Sequence, residues 1–134
     1  MAYKLEREQT RILELEVNGE ILKISIGGMG LYKKVLDAQS RLKDIQTKLE
    51  GLKKNGIDVT PELVQYLGDS IIFLFNTAFG EANTDKILDF YEGNYDEMLM
   101  KVYPFFLNEY LPALKEGAKR DSKEKAKRLA GEVS

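Results

Sequence analysis

The chain has 134 residues, enough for one domain with a real core and no metal or disulfide staples. Lys and Arg number 20 and Asp and Glu 22, giving a net charge of −2, too nearly neutral for a general binder of nucleic-acid phosphates. There is no Cys and no His, which excludes disulfides, thiolate nucleophiles, cysteine-ligated zinc and the usual general base near pH 7.

No apolar run approaches the roughly 20 residues that cross a bilayer. The start, Met1-Ala-Tyr-Lys-Leu-Glu-Arg-Glu, is charged and has no apolar h-region, so no signal peptide is expected. A cytoplasmic protein without membrane contact is the resulting expectation.

Residues 11–26 read RILELEVNGEILKISI. Asn18-Gly19 suits a type I′ turn, because both residues tolerate positive φ. The two-residue loop sets Val17 opposite Glu20, Leu15 opposite Leu22 and Leu13 opposite Ile24, with Glu14 facing Lys23 on the other side. One face is apolar. Two strands alone are marginal in water, so this face lies on a helical layer, or the free edges pair with a partner strand. Gly27-Gly28-Met29-Gly30 lacks the Lys-Ser/Thr of a P-loop and the spacing of a dinucleotide fingerprint, and reads as a turn into a helix.

Residues 31–54 carry Leu31, Val35, Ala38, Leu42, Ile45, Leu49 and Leu52 at alternating steps of four and three, a 3.5-residue seam. It fits one helix of an antiparallel bundle or an intermolecular coiled coil. Asp37–Arg41, Asp44–Lys48 and Glu50–Lys54 place the acid N-terminal to the base, the better orientation. The next helix opens with Thr60 as N-cap, Pro61 at N1 and Glu62 at the positive helix end, with Val59 and Val64 placed as a hydrophobic staple. Its wide apolar surface predicts the most buried helix, and Gly68 permits close approach of another element. Gly80 ends it.

A short helix is predicted from Thr84, its N-cap, to Tyr91, with Gly93 ending it. Asn94 to Glu97 then resembles a capping box for a last long helix. Pro104 should kink or split that helix at Tyr103, and Pro112 should give a second break. From Lys115 the chain has seven basic and four acidic residues and few large apolar ones, which reads as a disordered tail. Residues 81–112 are the opposite, with seven acids and two bases. The expected fold is mainly α: a small helical bundle over 1–114 with an N-terminal β-hairpin, followed by a flexible tail over 115–134.

No set of residues supplies nucleophile, base and charge stabiliser together. Asp96-Glu97 sit side by side at a helix start and answer the helix dipole. Asp85, Asp89 and Glu92 lack the glycine-centred loop of a calcium site. Neither an enzyme nor a cofactor or metal is expected. The aromatic density from Phe90 through Tyr91, Tyr95, Tyr103, Phe105, Phe106 and Tyr110 fits a protein-binding surface, with core packing as the default reading beside it.

Phe79-Gly80-Glu81-Ala82-Asn83-Thr84-Asp85-Lys86-Ile87 resembles the Phe-Gly-x-x-x-Thr-x-Lys pattern of tail assembly chaperones from long-tailed phages and prophages of Gram-positive bacteria. The likeness spans roughly residues 11–115. It implies a helical bundle without catalysis, working in the host cytoplasm. Such a protein keeps the tape measure protein soluble before tail tube subunits assemble. A frameshifted longer form in many relatives recruits the tube protein. The matching positions are Phe79, Gly80, Thr84, Asp85 and Lys86; with Phe90, Tyr91, Phe105, Phe106 and Tyr110 they form the candidate partner-binding set. The pronounced Leu31–Leu52 seam departs from the family layout. It leaves open an alternative: a non-enzymatic helical adaptor or regulator dimerising through the 31–54 helix.

Overall fold

The computed structural model describes the backbone of residues 11–133 and their side chains, apart from 121, 124–125 and 128–133. Strands β1 (Arg11–Val17) and β2 (Glu20–Ile26) precede helices α1 (Met29–Lys54), α2 (Pro61–Phe79), α3 (Glu81–Phe90) and α4 (Tyr95–Phe105). A π-helical turn (Phe106–Tyr110) then leads without a break into α5 (Leu111–Val133). The mainly helical fold with an N-terminal hairpin is thus the one the sequence predicts.

The hairpin register is Val17 to Glu20, Leu15 to Leu22 and Leu13 to Ile24, and Asn18 and Gly19 both take positive φ, 52° and 77°. This is the backbone that a type I′ turn demands. Leu22, Ile24 and Ile26 are buried beneath β2, which rests on α2, α3 and α5. Leu13, Leu15 and Val17 of β1 are only half-buried, because β1 is the outer strand. Asn83 of α3 donates from Nδ2 to the Lys23 carbonyl at 2.9 Å. Exposed ion pairs, Lys86–Glu20 and Arg11–Glu116, tether the hairpin to α3 and α5; such pairs orient more than they stabilise.

Val35, Ala38, Leu42 and Ile45 of the α1 seam are buried, and α1 packs along α2. The seam is therefore filled from within the chain, and a dimer through it would require the bundle to open. Thr60 Oγ1 accepts from the Leu63 amide at 3.3 Å, with Pro61 at the first helical position. Asn94 caps α4 through the Glu97 amide at 3.1 Å. Gly68 is buried under Tyr95: a Cβ there would lie 2.3 Å from the tyrosine Cε2.

Two expectations change. First, α3 begins at Glu81, not Thr84. The chain turns from α2 into α3 through Gly80 alone, at φ 93° and ψ 150°, a conformation essentially reserved to glycine. Thr84 is consequently inside the helix and buried, its hydroxyl donating to the Gly80 carbonyl at 3.0 Å.

Second, neither Pro104 nor Pro112 breaks the last helix. Met98, Val102, Phe106, Tyr110, Leu114 and Ala118 are all buried, a row with a constant step of four. Each such step overshoots a full α-turn by roughly 40°, so an unmodified helix would carry the row roughly 200° around its axis. The π turn inserts one residue, takes back roughly 100° and holds the row on the core. In the turn the Leu111 amide donates to the Phe106 carbonyl. The wider turn lies directly before Pro112, whose ring would otherwise press on the carbonyl four residues back.

The charged segment from Lys115 follows on in α5, which runs from Leu111 to Val133. Ala118 is buried, and a Cβ on Gly117 would stand 3.5 Å from the Gly27 carbonyl oxygen. Glu116 pairs with Arg120 one turn on at 3.3 Å. Among the described residues, no helix is long and apolar enough to cross a membrane.

Candidate functional site

The residues singled out from the sequence separate into two groups. Phe79, Thr84, Phe106 and Tyr110 are buried, and Phe105 is half-buried. The four rings belong to an aromatic ladder through the core. Phe79 lies 5.2 Å from Phe75, 5.8 Å from Phe105 and 5.4 Å, edge-on, from Tyr110. Tyr110 stacks on Phe106, which stacks on Tyr103. Tyr103 closes the ladder by accepting from Gln39 Nε2 of α1 at 3.1 Å. Phe79, Phe106 and Tyr110 hold α2 to the last helix and are buried, while Tyr103 and Phe105 keep part of their rings exposed. Aromatic density in sequence does not distinguish a core ladder from an interface.

Gly80 is exposed but serves the corner between α2 and α3. The second group, Asp85, Lys86, Phe90 and Tyr91, reaches the surface. A cleft of about 280 Å³ opens between the hairpin tip and α3, lined by Val17, Asn18, Glu20, Lys86, Asp89 and Phe90. The Phe90 ring is 46% exposed and meets Tyr91 edge-on at 4.9 Å. Partial burial, with the Glu97 carboxylate nearby, raises the Tyr91 pKa, so this phenol is a neutral hydrogen-bonding group at pH 7. Lys86 is held by Glu20.

A second surface was not legible in the sequence. The Gln39–Tyr103 hydrogen bond and the approach of Gly117 to Gly27 fix an antiparallel register between α1 and the last helix. In that register Leu36 stands about level with Leu107, and Lys43 with Met100. Leu36 is 38% exposed, Leu107 40% and Met100 70%; Tyr32 and Tyr103, on the same two helices, are half-buried. The available signal was Leu36, an apolar residue beside Val35 that falls outside the α1 seam. On the other flank of α1, Arg41 lies 5.0 Å over the exposed Phe73 ring of α2.

Chemical machinery is sparse. Among the described residues, no group of three or more Asp and Glu is gathered where a metal could sit; Asp85, Asp89 and Glu92 do not form one. Asn76 Oδ1 and Tyr110 OH are buried without a hydrogen-bond partner there. Burial alone pushes the Tyr110 pKa well above the usual value of 10, so this phenol stays protonated and is sealed among rings. Exposed apolar side chains on the described helices include Leu36, Val64, Phe73, Phe90, Met100 and Leu107. Comparison with protein-family models, with curated proteins and with solved structures finds no match to the chain.

Proposed function

We propose that this protein is a non-catalytic assembly chaperone of the long-tailed phage or prophage type. It keeps the tape measure protein soluble in the host cytoplasm until tail tube subunits assemble. Its client is an apolar helix, which lies along the line where α1 meets α4–α5. The observation that carries this reading is the exposure of Leu36 on α1 and of Leu107 and Met100 on the last helix, two helices that the Gln39–Tyr103 hydrogen bond joins. Two antiparallel helices present ridges and an intervening channel that receive the side chains of a third. Apolar residues grouped in this way on a small protein favour an interaction surface. The Phe79–Lys86 resemblance supplies the biological setting, although Phe79, Gly80 and Thr84 act as structural residues of the α2–α3 corner.

Co-expression with a tape measure fragment tests the proposal. The native chain should raise the yield of soluble fragment, and Leu36→Lys with Leu107→Lys should remove most of the gain while leaving the chaperone folded. An equal yield with the native chain, the double variant and no chaperone would refute it.

A further inference from the structure

Strand β1 has one neighbour, β2. In an antiparallel ladder, residues alternate between pairs that exchange both hydrogen bonds and pairs whose backbone groups point outward. Val17 and Glu20 close the two-residue turn and form the first bonded pair. Alternation then aims the N–H and C=O groups of Ile12, Glu14 and Glu16 away from β2. The opposite edge confirms the phase: Lys23, paired with Glu14, turns its carbonyl outward to Asn83. On β2 the Asn83 side chain satisfies one of the outward groups, the Lys23 carbonyl. On β1 the outward groups of Ile12, Glu14 and Glu16 have no partner among the described residues.

The side chains around this edge have a definite character. Ile12, 55% exposed, Glu14 and Glu16 share the outer face of β1. Neither glutamate has an ion-pair partner among the described residues, although Lys23 stands across the ladder from Glu14; of the other nearby bases, Arg11 is engaged by Glu116 and Lys86 by Glu20. The inner face carries half-buried Leu13, Leu15 and Val17. It runs into the cleft holding Phe90 and Asp89. One face of an added strand would therefore meet carboxylates, and the other apolar side chains.

We propose that β1 is a strand-addition site for an extended partner segment in which basic residues alternate with apolar ones. Main-chain bonds to Ile12, Glu14 and Glu16 would give affinity, and the alternation would give register. Its bases would face Glu14 and Glu16, and its apolar residues would continue the Leu13–Leu15–Val17 row towards Phe90. A second copy of this chain fits poorly: centring a two-fold on Glu14 sets it against itself, and centring on Leu15 sets Glu14 against Glu16. This site is distinct from the α1–α4/α5 line, so its failure would leave the chaperone proposal standing.

The test is amide hydrogen exchange, read by NMR on the full chain. The probes are a peptide as long as β1 with Lys alternating with Val, and its Glu/Val counterpart. With the Lys/Val peptide at ten times its dissociation constant, exchange at Ile12, Glu14 and Glu16 should slow about tenfold. The Glu/Val peptide should not protect them. Glu14→Pro removes an outward N–H without touching the ladder to β2, as an edge strand tolerates, and should abolish protection. Glu14→Lys with Glu16→Lys reverses the charge without altering the backbone and should weaken binding of the Lys/Val peptide. Unchanged exchange at the three amides, equal protection by both peptides, or unchanged affinity in the charge-reversed protein would overturn the proposal. Protection that rises with protein concentration alone would also overturn it, in favour of self-pairing.

Discussion

Gly68→Ala is a sharp test of the packing, because two effects of known sign oppose each other. In an exposed helix interior, alanine is favoured over glycine by about 1 kcal/mol. At Gly68 the added carbon would stand 2.3 Å from Tyr95 Cε2 and 2.5 Å from Cζ, far inside van der Waals contact. Tyr95 is the first residue of α4, so moving its ring disturbs the start of the last helix. Overpacking of this kind costs about 1–3 kcal/mol, which leaves a net loss of up to about 2 kcal/mol after the helix-propensity gain. Replacing Tyr95 by Ala removes the obstruction, and in that background Gly68→Ala should stabilise by about 1 kcal/mol. Urea unfolding of the four proteins in this double-mutant cycle measures the coupling. If Gly68→Ala stabilises equally with and without Tyr95, the ring does not rest on this glycine and the placement of α4 on α2 is wrong.

Other consequences follow from particular residues. Gly80→Ala should cost about 1–3 kcal/mol in a urea titration, since φ 93° with ψ 150° strains any residue with a Cβ. Tyr110→Phe should be neutral or stabilising by up to about 1 kcal/mol, because it removes a buried hydroxyl that lacks a partner among the described residues. The native state binds the Tyr110 proton more tightly than the unfolded chain does. Stability should therefore hold below pH 10 and fall as pH rises above it, with Tyr91 adding a contribution of the same sign. Urea midpoints at increasing alkaline pH should fall less steeply for Tyr110→Phe than for the native chain.

The hairpin was legible down to its register because Asn18-Gly19 fixes the loop length, and a period of two then fixes every pair. The α1 seam and the Thr60-Pro61 start of α2 were legible for the same reason: each is a local rule with one geometric outcome. The corner at Gly80 was not, since Thr84 satisfies the rules for an N-cap equally well in sequence. Pro104 and Pro112 each, taken alone, predict a break because proline lacks the amide hydrogen of a helix interior. The constant step of four from Met98 to Ala118 was the better signal, because only a helix with a wider turn keeps such a row on one side. The candidate site was least legible. Burial of Phe79, Phe106 and Tyr110 depends on which helices meet, and the pairing of Leu36 with Leu107 depends on an antiparallel register that no local pattern records.

That this chain acts by lending apolar helical surface is tested most directly by titrating a soluble helical fragment of a tape measure protein into the labelled protein and following its amides by NMR. The perturbations should centre on Leu36, Tyr103 and Leu107, and Leu36→Lys with Leu107→Lys should abolish them while leaving the fold intact, since exposed substitutions away from special backbone features rarely change stability by more than about 0.5 kcal/mol. Saturating fragment without perturbation along that line would contradict the proposed mode of action.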